Sequence, residues 1–202
     1  MRERLAGIPG IRAFVYARLP CAQTGEMALL QDAGFRVVDV NLNVVKKLGA
    51  KVRAGTEIRE AVAEDEEAVA AIAGSAYRFS RFHLDPAFQK ADADFLKREW
   101  ARNFFRGNRG DKLFVALLEG RPAGFLLALE QPDACVIDLI AVSEQAQRRG
   151  IGAALIAACE SSFPGAAEIS AGTQAANIAS MRLYERLGFR LRASQYILHW
   201  HK

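Results

Sequence analysis

Apolar and polar residues along this chain follow two periods, which predict a mixture of strands and helices. Residues 134–142 (ACVIDLIAV) form a strongly apolar run that predicts a strand, and residues 152–162 continue with the spacing of a helix. Residues 25–33 also predict a helix, with Gly34 well placed as its C-cap, whereas residues 35–45 are β-branched and predict a strand. The pattern therefore indicates a protein of the α/β (α+β) class.

The first 54 residues predict a small lobe of their own. A strand over residues 11–16 precedes the helix and the strand just described, so the order is β-α-β, and the basic, glycine-bearing residues 46–55 follow as a linker. We expect an N-terminal lobe over residues 1–54 and a second domain over residues 55–202. Because the lobe carries no catalytic constellation, packing or formation of a homodimer is its expected role.

The second domain alternates between the two periods as far as the C terminus. Its predicted strands cover residues 56–62, 112–118, 123–130, 134–142, 168–172, 189–193 and 196–200, and its predicted helices cover residues 64–76, 88–106, 152–162 and 177–187. Residues 77–86 (YRFSRFHLDP) interleave aromatic and charged side chains and end in a proline-bearing turn. This segment, the aromatic loop, is predicted either to line a substrate pocket or to be a surface loop anchored by its aromatic residues.

Residues 147–153 (QRRGIGA), the glycine loop, lie between the strongest strand signal and a helix. The first turn of a helix has unpaired N–H groups and a partial positive charge, so it favours an anion. Gly150 and Gly152 remove Cβ atoms that would keep a phosphate away from the backbone, and Arg148 and Arg149 add positive charge. The glycine loop therefore predicts a site for a pyrophosphate.

Two familiar nucleotide motifs do not fit the glycine loop. A dinucleotide-binding fingerprint needs a third glycine where the chain has Leu155, and an acidic residue about 20 residues further on. A P-loop needs a Gly-Lys-Ser/Thr sequence, which does not occur in the chain. The pyrophosphate is therefore expected to belong to another kind of ligand.

Composition restricts the partners and the location. With 202 residues the chain suits one domain with a smaller lobe, and its formal net charge of +4 is too mild and dispersed to predict a nucleic-acid partner. No apolar run approaches the ~20 residues of a membrane span, and the N terminus is unlike a signal peptide. We expect a cytoplasmic protein without a membrane partner. Cys21, Cys135 and Cys159 are too few and too scattered for a metal site, so no metal is expected.

Two segments together resemble motifs of the GNAT superfamily of acyl-CoA N-acyltransferases. QRRGIGAALI, after a strand ending in IAV, is similar to the family's Gln/Arg-x-x-Gly-x-Gly/Ala motif, and NIASMRLYERLGFR (residues 177–190) is similar to its C-terminal motif. The order of elements over residues 56–200 also fits. The resemblance implies a mixed, mostly antiparallel sheet of GNAT type flanked by helices, which opens between two neighbouring strands where the pantetheine arm of acetyl-CoA enters.

The resemblance also assigns roles to residues. Main-chain groups of residues 140–142 would bind pantetheine and polarise the thioester carbonyl, and the glycine loop would bind the pyrophosphate. The residues assigned to acetyl-CoA are Ile140, Ala141, Val142, Arg148, Arg149, Gly150, Ile151, Gly152, Ala153 and Asn177. Tyr184 matches the motif tyrosine and is the expected general acid for the departing thiolate, the alternative being a tyrosine that packs on the core. The general base stays open between Glu130, Asp138, His83, Asp85 and a chain of waters.

A narrower resemblance links the chain to the bacterial dTDP-4-amino-4,6-dideoxygalactose (TDP-fucosamine) N-acetyltransferases, which also carry an N-terminal lobe. It rests on LLQDAGFRVVDV, SRFHLDP, REWARNFFRG and Thr173-Gln174-x-x-Asn177. It implies transfer of an acetyl group to a primary amine of a small molecule such as a nucleotide-linked amino sugar. Arg81, His83 and Asp85 are the candidate acceptor-binding residues. A peptide or protein N-acetyltransferase and a non-catalytic acyl-CoA-binding module are the alternatives.

Overall fold

The computed structural model describes residues 13–48 and 56–202, and the backbone of residues 2–3. The strands within them are β1 (Arg2–Glu3), β2 (Phe14–Pro20), β3 (Arg36–Lys47), β4 (Glu57–Glu60), β5 (Lys112–Leu118), β6 (Arg121–Gln131), β7 (Ala134–Val142), β8 (Glu168–Gln174) and β9 (Arg190–His201). The helices are α1 (Thr24–Asp32), α2 (Glu66–Ala76), α3 (Arg81–Leu84), α4 (Lys90–Phe105), α5 (Ile151–Ser162) and α6 (Ile178–Arg186). These helices are all too short or too polar to cross a membrane.

The strands form one sheet in the order β1-β2-β9-β3-β8-β7-β6-β5-β4. Neighbours are antiparallel at every described pairing except that between β7 and β8, which is parallel. The parallel pair needs a crossover, which α5 supplies. The mixed, mostly antiparallel sheet flanked by helices that the sequence predicted is therefore confirmed.

Helices cover both faces of the sheet, and a core lies on each face; a third, smaller cluster surrounds Phe14, Phe82 and Phe88. On one face, α5 and α6 pack through Leu155, Ile156 and Tyr184 against β5 to β8. On the other face, α2 and α4 pack through Val69, Ile72 and Ala101 against the opposite side chains of β5 to β7. Strand β7 contributes to both cores, with Cys135 and Ile137 in the first and Leu139 and Ala141 in the second.

The N-terminal segment contributes strands to this same sheet. Strand β2 pairs with β9, and β3 lies between β9 and β8, so the β-α-β elements β2, α1 and β3 are continuous with the sheet of the second domain. Gly34, at a φ of +88°, ends α1 as predicted. Lys46 and Lys47 belong to β3, and residues 49–55 of the predicted linker lie outside the described residues, so the boundary near residue 54 stays a prediction.

The C-terminal prediction of two strands, residues 189–193 and 196–200, was wrong. The structure has one continuous strand, β9, through the polar pair Ser194 and Gln195. Its neighbours explain the continuity, because Ser194 and Gln195 lie opposite Leu42 and Asn41 of β3, and Gln195 also lies opposite Pro20 of β2. A strand that is paired on both sides stays extended through residues that would favour a turn in isolation.

Candidate active site

The sheet opens between β7 and β8. Their parallel pairing runs from Ala134 and Glu168 to Ile137 and Ala171 and ends there, whereas β8 remains paired with β3 as far as Gln174. Residues 138–142 therefore present a strand edge towards the opening, with backbone N–H and C=O groups that a ligand can use.

A β-bulge lies where the opening begins. Leu139 is opposite Leu127 and Ile137 is opposite Ala128, so Asp138 is the extra residue on β7. A bulge bends a strand and re-aims the side chains beyond it. Here it moves the side chain of Leu139 into the core beneath α2 and α4, whereas that of Ile137 packs beneath α5 and α6.

A cleft of about 760 Å³ borders this opening. It is formed by the end of β7, the glycine loop, one side of α6 and the chain after α2. Its lining includes Tyr77, Arg78, Phe79, Ile140, Ala141, Val142, Gln147, Arg148, Gly150, Ile151, Gly152, Ala153, Gln174, Asn177, Leu183 and Arg186. The cleft therefore joins the predicted anion site to the predicted thioester site.

The glycine loop has the geometry of an anion site. Arg148 and Gly150 both have positive φ angles, +63° and +79°, and α5 begins directly afterwards. The first bond along α5 is donated by the Ala154 N–H to the Gly150 carbonyl, so the three preceding N–H groups have no acceptor within the helix. No side chain caps this end of α5. The exposed N–H groups and the helix dipole favour a phosphate group at this position.

Gly152 brings α5 close to α6. A Cβ atom at this position would lie 3.2 Å from Cδ2 of Leu183, which itself lines the cleft. A larger side chain would therefore displace Leu183 or enter the space in front of the helix.

Asn177 caps α6 at the edge of the same cleft. Its Oδ1 accepts a hydrogen bond from the Ser180 N–H at 3.1 Å. The cap uses only the oxygen, so the amide N–H groups are the part of Asn177 that can donate to a ligand.

Tyr184 belongs to the core beside the cleft. Its side chain is 3% exposed, its ring lies 5.1 Å from that of Phe189, and it is not among the lining residues of the cleft. Burial raises the pKa of Tyr184 above its ordinary value, so the phenol stays protonated at neutral pH. A protonated phenol is what the predicted acid requires, and that role stays a prediction.

The other predicted cofactor-binding residues converge on this cleft. All of them line it except Arg149, which lies within the glycine loop and is exposed. The cleft also includes Tyr77, Arg78 and Phe79 from the aromatic loop, for which a pocket lining was one of the two predictions. The sequence did not suggest Arg186, although Ala179, Leu183 and Arg186 of α6 repeat at helical spacing.

His83 and Asp85, from the predicted acceptor-binding group, make internal hydrogen bonds. The ring nitrogens of His83 lie 2.6 Å from Oγ of Ser80 and 2.9 Å from Oδ1 of Asp94. Arg81 stacks on the ring of Tyr16, with its Cζ atom 3.8 Å from the ring centre. None of the three lines the cleft described above.

Asp85 accepts hydrogen bonds from two histidines. Its Oδ2 lies 2.5 Å from Nδ1 of His199 and 2.7 Å from Nε2 of His201, which are hydrogen-bond distances. Burial alone would raise the pKa of Asp85, but the hydrogen bonds from His199, the Ala87 N–H and His201 lower it to about 2. Burial lowers the pKa of His199, which is 1% exposed. Nothing in the sequence indicates that Asp85 meets the two histidines, since they lie more than 110 positions after it.

Glu130 and Asp138, the two other candidates for the general base, lie at different places in the sheet. Glu130 is exposed near the end of β6 that is remote from the cleft. Asp138 lies at the start of the opening, where its carboxylate is bound by Arg109.

Comparison with known proteins identifies the family of this fold and site. The Acetyltransferase (GNAT) family matches residues 76–189, which is more than half of the chain. The chain therefore belongs to the GNAT acetyltransferase family.

One curated relative is the spore coat polysaccharide biosynthesis protein SpsD of Bacillus subtilis (strain 168). It is 32% identical over 137 residues, which cover 67% of this chain and 47% of that protein. The chain thus spans about half the length of this relative.

Solved structures share the fold. A functionally unknown conserved protein from Staphylococcus epidermidis superimposes with a TM-score of 0.70 at 16% identity, covering 92% of this chain and 71% of that one. A GCN5-related N-acetyltransferase from Sphaerobacter thermophilus has a TM-score of 0.65 at 19% identity, covering 93% and 59%. The ribosomal-protein-S18-alanine N-acetyltransferase from Escherichia coli has a TM-score of 0.52 at 23% identity, covering 72% and 93%.

Proposed function

We propose that this protein transfers an acetyl group from acetyl-CoA to a primary amine of a small molecule, such as a nucleotide-linked amino sugar. The observation that carries the proposal is the opening between β7 and β8, which leads directly to the uncapped N terminus of α5. One cleft thus offers an anion site beside a strand edge, as a long ligand with a pyrophosphate and amide groups requires.

The residues of the cleft fit acetyl-CoA. The N–H groups of Ile151, Gly152 and Ala153 would hold the pyrophosphate, with Arg148 and Arg186 adding charge. The main chain of residues 140–142 would bond the pantetheine amides, and one of its N–H groups would polarise the acetyl carbonyl. When bound, acetyl-CoA supplies the acetyl group as an activated thioester.

Tyr184 has the proton that the leaving sulfur would need. A phenol has a reference pKa of about 10 and a thiol of about 8.5, so a tyrosine can donate without being ionised at neutral pH. Burial raises the pKa of Tyr184 further, which secures the protonated form but makes the phenol a weaker acid. Tyr184 follows Leu183 of α6, which lines the cleft, and its ring packs in the core beneath that helix.

The acceptor class is supported by the relative rather than by the cleft. The name of the Bacillus relative places it in polysaccharide biosynthesis, a process in which amino sugars are modified. The aromatic loop and the N-terminal strands also add structure around the side of the sheet remote from α5 and α6. Both observations favour a small-molecule pocket for the amine.

The proposal is tested by measuring free thiol released from acetyl-CoA in the presence of separate amine acceptors. The panel contains nucleotide-linked amino sugars, polyamines, aminoglycosides and peptides with free N termini. We expect release with an amino sugar and little with peptides. Thiol release only with peptides would show that the acceptor is a peptide amine and not an amino sugar. Tight binding of acetyl-CoA without thiol release for any amine would favour a non-catalytic binding module.

A further inference from the structure

Lys97 is a buried cation that lacks an acidic partner. It lies on α4 and is 8% exposed, and its Nζ atom lies 4.6 Å from the ring centre of Tyr77 and 4.5 Å from that of Trp100. The ammonium group contacts these two rings. It forms no ion pair and no hydrogen bond with any other residue among residues 13–48 and 56–202. Aromatic rings attract a cation but do not take up its three N–H donors, so the ammonium group of Lys97 can still donate to a ligand.

More positive charge surrounds Lys97 than negative charge. The Cζ atom of Arg109 lies 4.7 Å from the ring centre of the same Trp100. The guanidinium of Arg109 already binds the carboxylate of Asp138. Burial lowers the pKa of Lys97 to about 8, Arg109 and Arg81 act in the same direction, and Asp138 opposes them. Lys97 and Arg109 therefore face one carboxylate, which Arg109 already binds, so the charge of Lys97 is left unbalanced there.

The ring of Tyr77 connects this cluster to the opening in the sheet. Tyr77 lines the cleft, and its hydroxyl group is buried without a hydrogen-bond partner among the described residues. Burial raises the pKa of Tyr77, and the charges of Tyr184 and Asp138 raise it further. Tyr77 lines the cleft together with Ile140 of the predicted thioester site. Lys97 packs against the ring of this same tyrosine.

Lys97 lies on the opposite face of the sheet from the glycine loop. Tyr77 and Trp100 pack with the core of α2 and α4, whereas α5 belongs to the core on the other face. An acetyl donor held by α5 reaches the opening from one face, so an amine that attacks it can approach from the face where Lys97 lies.

We propose that Lys97, with charge added by Arg109, binds an anionic group of the amine acceptor, either a phosphate ester or a carboxylate. The inference rests on the proposed function and names the chemistry of its acceptor. An anion would supply the acceptor atoms that the ammonium group lacks and would neutralise the excess positive charge. Acceptors whose charges are all positive, such as polyamines, would be repelled at the same place.

The test compares matched acceptors that differ in one anionic group. A phosphorylated amino sugar is compared with the same unphosphorylated sugar, and an amino acid with its amide, so that the two sources of the anion are separated. We expect one anionic member to be preferred. Lys97→Met should raise KM for that member by roughly tenfold or more, with a smaller effect on kcat, and should leave KM for its uncharged counterpart unchanged.

Two variants control for charge and for packing. Lys90→Met removes an exposed lysine from the same helix and should leave both KM values unchanged. Lys97→Arg keeps the charge and should retain most of the preference. Because Lys97 has no acidic partner, Lys97→Met should keep or raise the melting temperature, whereas a purely structural lysine would lower it without changing KM.

The outcomes separate this inference from the proposed function. An unchanged KM for the anionic acceptor in Lys97→Met, or equal use of charged and uncharged acceptors by the wild type, overturns the anion site while acetyl transfer stands. If no amine is acetylated, the proposed function fails. Calorimetry of the same matched compounds then decides the anion site, which requires binding of an anionic member that Lys97→Met weakens.

Discussion

Arg109 binds the carboxylate of Asp138 through two hydrogen bonds, from Nε to Oδ2 at 2.5 Å and from Nη2 to Oδ1 at 2.8 Å. Asp138 is the bulge residue of β7 at the point where pairing with β8 ends, and Arg109 lies in the turn between α4 and β5. The ion pair therefore joins the helical layer to the edge of the opening. Such a two-bond pair is geometrically specific, which suits a position that sets the shape of a site.

Loss of Arg109 should destabilise the fold. Arg109→Met leaves the largely buried Asp138 carboxylate without its partner, so we expect a loss of about 1–2 kcal/mol in the free energy of unfolding, a value reduced for the partial exposure of the pair. Urea titration measures this free energy of unfolding. Adding Asp138→Asn should recover part of the loss, whereas Arg78→Met, in an exposed pair with Glu144, should change little. No recovery in the double variant would show that Arg109 acts through its packing on Trp100.

Gly152→Glu should abolish binding of acetyl-CoA. The new side chain would place a negative charge before the N–H groups of α5, and its Cβ would crowd Leu183. Isothermal calorimetry checks this against Gly165→Glu, which lies in a loop after α5 with nothing near its Cβ position and should bind normally. Unchanged affinity in Gly152→Glu, in a folded protein, would show that the glycine loop is not the pyrophosphate site.

Tyr184→Phe should reduce kcat by roughly 100-fold, as the loss of a positioned proton donor does. Phenylalanine keeps the packing of the ring against Phe189, so affinity for acetyl-CoA and the melting temperature should change little. Steady-state kinetics of thiol release give kcat. Tyr77→Phe is the matched variant, since Tyr77 is the other phenol near the opening. If Tyr184→Phe retained full activity and Tyr77→Phe did not, the acid role would move to Tyr77.

Acid should remove the stabilisation that Asp85 provides. Hydrogen bonds from His199 and His201 lower the pKa of Asp85 from 3.8 to about 2. As the pH falls, the unfolded chain therefore takes up this proton at a higher pH than the folded protein does. The stabilisation is present above pH 4. It amounts to about 2 kcal/mol and is lost as the pH falls from about 4 to 2. The pKa of His199 is also lowered in the folded protein, so its protonation below the ordinary value of 6.5 likewise favours the unfolded chain.

The measurement is urea unfolding of the wild type and of Asp85→Asn between pH 7 and pH 3. We expect Asp85→Asn to be less stable at neutral pH, and the difference between the two proteins to shrink towards pH 3. A difference that is independent of pH would show that Asp85 acts through packing and not through its charge.

The sequence by itself determined the elements and the donor side of the site. Local spacing predicted the helices and most strands, since amphipathic periods and glycine caps are properties of neighbouring residues. The glycine loop is also local, because its glycines, its arginines and the helix that follows lie within a few positions. The family resemblance added Ile140, Ala141, Val142 and Asn177, and all ten predicted donor-binding residues except Arg149 line one cleft. The resemblance to the family's motifs predicted the mixed, mostly antiparallel sheet.

Tertiary structure decided which polar side chains are buried and which residues they pair with. His83 and Asp85 were assigned to substrate because they lie in one aromatic loop, but their partners, including His199 and His201, come from distant parts of the chain. Lys97 is predicted only as part of an amphipathic helix, and nothing near it in sequence shows that its side chain is buried against Tyr77 and Trp100 without an acidic partner. Burial and pairing depend on which strands and helices meet, and those contacts are formed only when the whole sheet is assembled.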